Sequence, residues 1–240
     1  MMKNNRVTIA WNLVSNMIRY NLRIIFANKF IWFLVSSIVV YAGLSLINVL
    51  QQSVTNVEDM YTIFMLSGVL LVFYPTVFGI QNDQDAKTIE ILFGIPNYRY
   101  KVWLVRFVLI YIITFLIILS FTAVSSALIT ALPVMNMTLQ SMFPVVFLGT
   151  MAFFLSTLIR NGYGTAVVMI ILGILLMVFS NTLLQNTLWN PYLNPFESPS
   201  NISDFAWSVT TRDNRIFMGV STLLFLLGAL YMLRRREKFM

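Results

Sequence analysis

The sequence predicts an all-α integral membrane protein with six transmembrane helices and both termini on the cytoplasmic side. This prediction depends on the composition, on six long uncharged windows and on the placement of the basic residues. Hydrophobic residues make up 58% of the 240-residue chain and charged residues only 10%, whereas a soluble domain has roughly 45–50% and roughly 25%. A soluble fold of this size would lack the polar residues that cover its surface.

Six windows are long and apolar enough to cross a membrane as helices. A hydrocarbon core of roughly 30 Å requires about 20 apolar residues, because a helix rises about 1.5 Å per residue. None of the windows contains Asp, Glu, Lys or Arg; they cover residues 30–50, 60–80, 107–127, 143–159, 163–184 and 216–233. We expect Pro144 to lie in the first turn of the fourth helix, where its missing N–H breaks no hydrogen bond. The runs do not alternate like transmembrane β-strands.

The basic residues predict the orientation of the helices. With the N-terminus inside, 14 of the 16 Lys and Arg lie on the inner side together with four acids. Two basic and five acidic residues remain outside, a net charge of +10 inside against −3 outside. An excess of Lys and Arg on the cytoplasmic side is typical of membrane proteins. The net charge of +7 is therefore a topology signal, and we expect no nucleic-acid partner.

The residue types that are missing exclude most enzyme classes. The chain has no His and no Cys, which excludes disulfides, thiolate nucleophiles, histidine general bases and the usual zinc sites. The uncharged windows contain nothing that could relay protons, and no GxxxxGK[ST] phosphate-binding loop is present. We expect no catalytic residue, metal or cofactor in this chain, so a partner at the cytoplasmic face would have to supply energy.

Residues 7–29 predict an amphipathic helix that lies on the inner membrane surface. Apolar residues recur at helical spacing on one face, and Asn and Arg residues occupy the other. The two faces consist of Val7, Trp11, Val14, Ile18, Leu22 and Ile25, and of Asn12, Asn16, Arg19 and Arg23. A basic face opposite an apolar face with Trp suits the headgroup layer. The segment is either an ordinary anchor or a lever that joins the first span to a cytoplasmic partner.

The longest cytoplasmic connection, residues 81–106, predicts a short helix followed by a basic segment. Asp83 or Asp85 can cap the helix, and acids in its first turn oppose the positive end of its dipole. Gly94 and Pro96 can end it. These residues alone leave open whether the segment is a plain surface loop or a docking element.

This connection resembles the first cytoplasmic loop of type-2 ATP-binding-cassette (ABC) transporter permeases. In that family an acidic E-x-E-x-G-T-x-E-x-L-x-x-x-P pattern, followed by a basic residue, precedes the third span. The matching positions are Asp83, Asp85, Lys87, Thr88, Glu90, Leu92, Pro96 and Arg99. Lys87 stands where the family usually has Gly, and Gln84 where a basic residue is common. Together with the six spans and the amphipathic N-terminal segment, the resemblance covers essentially the whole chain, as one permease domain over residues 1–240.

The resemblance implies several roles. Residues 83–96 would form a coupling helix in a cleft of an ATP-hydrolysing subunit, and the eight matching residues would couple the chain to that subunit. Residues 7–29, with Trp11, Arg19 and Arg23, would form a connecting helix beside it. Two ABC ATPase subunits, which bind ATP and Mg, would join two permease subunits that are identical or different. The complex would lie in a bacterial cell (inner) membrane and export a lipid-like, amphipathic, glycan or drug-type substrate.

The outer connection, residues 185–215, is rich in aromatic residues and Pro. Interface aromatics commonly anchor a protein, but their density here, and the family resemblance of Asn194-Pro195-Phe196, predict short re-entrant helices. The resemblance also predicts a translocation path along the second and fifth spans, walled by Tyr74, Phe78 and Asn181. Polar residues in such spans more often serve helix packing.

Three functions remain open on the sequence alone. The first is the membrane subunit of an ATP-driven exporter. The second is a permease-like scaffold or force-transmitting subunit of an envelope machine that transports nothing itself. The third is a passive channel or scramblase. Association with an ATPase separates the third from the others, and stimulation of that ATPase by a substrate separates the first from the second.

Overall fold

A computed structural model describes residues 30–51, 56–85, 99–184 and 187–233, with the backbone only for residues 99–101, and these residues contain helices and no β-strand. Six of the helices are long and apolar enough to cross a membrane. The prediction of an all-helical, multi-pass membrane protein is therefore confirmed. The predicted interfacial helix over residues 7–29 and the loop residues 86–98 lie outside the described residues.

The connections between the described helices differ in length, from residues 160–161 to residues 182–203. The helix Val57–Val77 continues into Gly79–Asp85 after a one-residue interruption at Phe78, and a π-helical turn at Arg99–Leu104 leads into the helix Val105–Leu128. The helices are α1 (Phe30–Gln51), α2 (Val57–Val77), α3 (Gly79–Asp85), α4 (Val105–Leu128), α5 (Val134–Ile159), α6 (Gly162–Asn181) and α7 (Asp204–Met232).

Two helices begin well before the predicted windows. Helix α5 starts at Val134, so Pro144 lies in its interior and not in its first turn as we expected. The uncharged polar residues of 134–142 lower the hydropathy without interrupting the helix. The Thr138 hydroxyl, for example, donates a hydrogen bond to the Val134 carbonyl at 2.8 Å. Helix α7 starts at Asp204, where the Ser203 hydroxyl accepts a hydrogen bond from the Ala206 N–H. The charged residues before Ile216 end an apolar window but do not end a helix.

Helices α2 and α5 form the centre of the bundle. In the span that contains α2, 72% of the residues in the most apolar 18-residue stretch are buried. In the span of α5, the corresponding share is 56%. The other four spans bury 28% or less. Their exposed residues are large and apolar, as on Trp32 of α1 and Ile174 of α6, which is the surface expected towards lipid.

Small residues bring the central helices close together. A Cβ atom on Gly68 of α2 would lie 2.6 Å from Ile118 Cδ1 on α4 and 2.7 Å from Val145 Cγ2 on α5. On the other side of α2, the Ser37 hydroxyl donates a 2.9 Å hydrogen bond to the Ser67 carbonyl. Close backbone approach at small residues and interhelical hydrogen bonds are the main sources of helix association in lipid.

The six spans run alternately up and down, so the helix ends collect in two groups. We call one group the Arg106 end; it contains the start of α1 and α4 and the ends of α3 and α5. The opposite group is the Arg215 end, which contains the end of α1 and the start of α2 and α5. The basic residues predict that the Arg106 end is cytoplasmic.

The close approach at Gly68 is open to a direct test. We expect Gly68→Leu to lower the free energy of unfolding by about 1–3 kcal/mol, because the added side chain overpacks the contact with α4 and α5. Gly43→Leu is the matched control, since a Cβ there would meet no atom within 4 Å. Both changes share the same gain in helix propensity, so thermal unfolding of the two variants in detergent isolates the packing effect. Equal stability of the two variants would contradict the close packing.

Candidate functional site

Two arginines are buried near opposite ends of the helical bundle. Arg106 is 4% exposed and Arg215 is 7% exposed. A buried charge in a membrane-spanning protein is energetically expensive and commonly marks a functional position. The surroundings of these two side chains therefore define the candidate sites.

Arg106 forms a buried ion pair with Asp83. Its Nη1 atom lies 2.9 Å from Asp83 Oδ2, and both side chains are about nine-tenths buried or more. The guanidinium also stacks 4.8 Å from the ring centre of Trp103. The pair joins the end of α3 to the first turn of α4, so it holds together the two ends of the loop that contains residues 86–98.

The predicted coupling residues that the structure describes lie in different environments. The resemblance places Asp83 at the ATPase interface, but the structure directs its carboxylate to Arg106 within the chain. Asp85 is exposed at the end of α3. The backbone of Arg99 lies in the π-helical turn, and the other members, Lys87, Thr88, Glu90, Leu92 and Pro96, lie outside the described residues.

The three predicted path residues lie at two different ends of the bundle. Tyr74 is buried, stacks on Phe33 at 5.1 Å and on Phe78 at 5.5 Å, and accepts a hydrogen bond from Asn82. These residues lie towards the Arg106 end. Asn181 ends α6 at the Arg215 end, where it lines a cavity of about 530 Å³. The structure therefore brings Tyr74 and Phe78 together and separates Asn181 from them.

At the opposite end, Arg215 of α7 connects four parts of the fold. Its Nε atom donates to Gln140 Oε1 on α5 at 2.9 Å, and its Nη1 atom donates to Asn214 Oδ1 at 2.8 Å. Its Nη2 atom donates to the Tyr61 hydroxyl on α2 at 3.2 Å and to the Leu193 carbonyl at 3.3 Å. One guanidinium therefore fixes α2, α5 and the segment after α6 relative to α7.

The partners of Arg215 are all neutral. In the part of the chain that the structure describes, the ion pairs are those of Arg106 with Asp83 and of the exposed Arg212 with Asp213. Hydrogen bonds to amide, phenol and carbonyl oxygens satisfy the donors of Arg215 but leave its positive charge in place. A cavity of about 780 Å³ opens beside it.

Residues 187–203 of the outer connection form turns and not the short helices that we expected, and residues 204–215 form the start of α7. Asn side chains produce these turns: Asn190 Oδ1 accepts from the Tyr192 N–H, and Asn194 Oδ1 from the Phe196 N–H. Such Asx turns compete with helix formation. The segment packs inward, with Asn190 and Leu193 buried.

Hydrogen bonds fasten this segment to the bundle. Asn214 Nδ2 donates to the carbonyls of Leu188 and Asn190, both at 2.8 Å. The Tyr192 hydroxyl donates to the Gly173 carbonyl at 3.4 Å. Burial raises the pKa of the Tyr192 hydroxyl above its ordinary value, which keeps this group protonated as a donor.

The sequence did not indicate that Arg106 and Arg215 are buried. Both arginines directly adjoin an apolar window, Arg106 before Phe107 and Arg215 before Ile216, and this position predicts a headgroup contact. Burial arises from residues that are 23 positions away for Arg106 and up to 154 positions away for Arg215.

The buried ion pair makes a prediction about stability. We expect Arg106→Met to lower the free energy of unfolding by about 3–5 kcal/mol, because it leaves the Asp83 carboxylate buried without its cation. Adding Asp83→Leu should restore most of the loss, because the double variant buries no charge. Asp85→Asn on the exposed end of α3 is the control and should change little. Chemical unfolding in detergent measures all four proteins, and an unrescued double variant would contradict the pair as the cause.

Comparisons with protein-family models, with curated proteins and with solved structures find no match for this chain. The six-span architecture therefore stands without an assigned family.

Proposed function

We propose that this chain is the membrane-spanning permease subunit of an ATP-driven ABC exporter, which moves an amphipathic or lipid-like substrate with energy from a separate ATPase subunit. The observation that carries the proposal is the Asp83–Arg106 ion pair. It braces both ends of the loop that resembles the coupling helix, at the end of the bundle that the basic residues predict to be cytoplasmic.

A braced loop can transmit movement to the bundle. Asp83 belongs to the span Val57–Asp85, the most buried of the six, and Arg106 lies in the first turn of α4. A displacement of the loop would therefore act on two helices at once. A loop with unattached ends would instead absorb the displacement in its own backbone.

The same span reaches the opposite site. Tyr61, in the second turn of α2, accepts a hydrogen bond from Arg215, so one helical span contacts both buried cations. This supports a mechanical connection between the predicted ATPase side and the segment 187–203. The connection is spatial, and coupling along it requires a functional measurement.

One observation favours a second candidate, a force-transmitting subunit that transports nothing itself. Tyr74 stacks on Phe33 and Phe78 near the Arg106 end, so its observed contacts are packing contacts within the bundle, as a force-transmitting span requires. Both candidates require an ATPase partner. Only the exporter requires that a transported molecule stimulates the ATPase.

The first experiment is purification of the tagged full chain from its native membranes, followed by reconstitution into lipid nanodiscs. We expect a stoichiometric ATPase subunit that carries a phosphate-binding loop, and ATP hydrolysis by the complex. Stimulation of hydrolysis by added lipids would favour the exporter over the force-transmitting subunit. A chain that purifies alone and carries no ATPase activity under mild conditions would contradict both.

The coupling role makes a prediction about charge reversal. We expect Asp85→Lys with Glu90→Lys to lower substrate-stimulated ATPase activity or to release the ATPase, because two acids of the predicted interface become basic. Glu58→Lys with Glu197→Lys is the matched control, since it makes the same change in net charge at two exposed positions of the Arg215 end.

Co-purification and ATPase activity are measured for both pairs. Unchanged association and unchanged stimulation in the Asp85 and Glu90 variant would contradict the proposed interface. An equal loss in the control pair would show that the effect comes from net charge and not from the loop.

A further inference from the structure

The coupling proposed above uses the hydrogen bond from Arg215 to Tyr61 but does not require the positive charge of Arg215. Five neutral acceptors and the ring of Phe143, whose centre lies 5.6 Å from Arg215 Cζ, hold the guanidinium in place without neutralising it. Removing a cation from water is costly, and neutral hydrogen-bond partners offset only part of that cost. An anion that enters the space beside Arg215 would offset more of it.

The space beside Arg215 is large enough for a small ligand and mostly apolar. The cavity of about 780 Å³ has the rings of Phe143, Phe196 and Trp207 in its wall. Its charged lining residues are Arg212, Arg215 and Asp204. Arg212 is exposed and pairs with Asp213 at 3.0 Å, so Arg215 is the buried charge of the cavity.

The acid in the wall does not neutralise the arginine. Asp204 Oδ1 accepts a hydrogen bond from the Ser198 hydroxyl at 3.3 Å, and Asp204 is itself exposed. Because Arg212 is paired with Asp213 and Asp204 is exposed to solvent, the buried part of the lining carries the positive charge of Arg215. The cavity is therefore suited to an anion and not to a cation.

An apolar groove of about 260 Å³ lies next to the cavity, between α5 and α7. Phe143 belongs to the walls of both, which makes the two spaces neighbours. The groove is lined by residues at helical spacing on facing sides of the helices, chiefly Leu139, Met142, Phe143 and Val146 on α5 and Met218 and Gly219 on α7.

Arg215 lies on the same face of α7 as the groove residues, about one helical turn before them. Residues three and four positions apart share one helix face, and Met218 and Gly219 follow Arg215 by three and four positions. The Met218 Sδ atom lies 3.9 Å from Arg215 Nη1. The groove opens to the outer surface of the bundle, because Leu139 is 46% exposed and Phe143 is 37% exposed.

We propose that the cavity and the groove form one binding site for an anionic membrane lipid. The phosphate of the lipid lies beside Arg215, and an acyl chain lies in the groove between α5 and α7. A free phosphate would leave the aromatic walls and the groove without a ligand, and an uncharged lipid would leave the guanidinium without an anion. The site belongs to this chain alone and does not depend on the ATPase partner.

The hydrogen bonds of Arg215 allow such a phosphate to approach. Of the acceptors bonded to Arg215, Gln140 lines the cavity, with its Oε1 atom 2.9 Å from Arg215 Nε. An ionised oxygen is a stronger acceptor than a neutral amide oxygen. A phosphate in the cavity can therefore replace Gln140 at Nε while the bonds to Asn214, Tyr61 and Leu193 remain.

The test is a lipid titration of the purified full chain in dodecyl maltoside, followed by native mass spectrometry. The probes are dioctanoyl-phosphatidylglycerol, dioctanoyl-phosphatidylcholine and inorganic phosphate. We expect one phosphatidylglycerol per chain, bound about tenfold more tightly than phosphatidylcholine, because the choline cation of the second lipid offsets the charge of its phosphate and is repelled by Arg215. Inorganic phosphate should neither bind stably nor compete with the lipid.

Two glycine variants test the groove without touching Arg215. Gly219→Leu places a side chain in open space inside the groove, and we expect about tenfold weaker phosphatidylglycerol binding from the lost apolar contact. Gly43→Leu, also in open space but on α1, should leave binding unchanged. Arg212→Gln should weaken binding by about two- to fivefold, as for an exposed charge.

Arg215→Met tests the charge itself and should remove the preference for phosphatidylglycerol over phosphatidylcholine. Because this variant also loses its bonds to α2 and α5, the glycine pair carries the test if Arg215→Met does not fold. Equal binding of the two lipids to the unmodified chain would overturn the proposal, and so would unchanged phosphatidylglycerol binding in Gly219→Leu.

Two other occupants of the site would be recognised in the same experiments. Binding of inorganic phosphate as tight as that of the lipid would show a site for free anions and overturn the lipid assignment. If Gly219→Leu separates a dimer and leaves the lipid affinity unchanged, the groove is a contact between two copies of the chain, and the proposal fails. Neither result affects the coupling function, which is measured through the ATPase.

Discussion

The close packing of α2 against α4 and α5 is the interaction on which the rest of the structure depends. Gly68 lacks the side chain that would separate these helices, and its position would place a Cβ within 3 Å of both neighbours. In lipid there is no hydrophobic gain from bringing apolar helices together, so contact distance and hydrogen bonds determine which helices associate. Because α2 is enclosed, Tyr61 near its start and Asp83 beyond its end are buried as well.

The burial of α2 places the two arginines in different electrostatic environments, one with an acidic partner and one with neutral partners. Asp83 follows α2 in the chain and reaches Arg106 on α4, so this cation is neutralised inside the bundle. Tyr61 near the other end of α2 offers Arg215 only a phenol oxygen, and Gln140 and Asn214 add neutral amides. The first arrangement favours a fixed mechanical connection. The second leaves a buried charge beside a cavity, which is the arrangement of a ligand site.

Much of the fold could be predicted from local properties of the chain. The number of spans followed from the length of the uncharged windows. Four of the six windows agree with a helix to within a few residues at both ends, and the other two agree at the C-terminal end. The starts of α5 and α7 were wrong because Asn136, Gln140 and Arg212 lower the hydropathy of a segment without lowering its ability to form a helix. The turns of residues 187–203 were missed because Asn side chains that bond to the backbone favour turns, although the aromatic residues around them favour burial.

The sequence by itself determined that this chain is an apolar, multi-pass helical protein, because membrane thickness and the cost of buried charge act on each segment separately. It also determined the uneven distribution of basic residues, from which the orientation is predicted. Only the tertiary structure decided that Asp83 faces Arg106, that Tyr74 and Phe78 are distant from Asn181, and that Arg215 has neutral neighbours beside a cavity. These features join residues from different helices, and their positions depend on how closely the helices pack, which no single segment specifies.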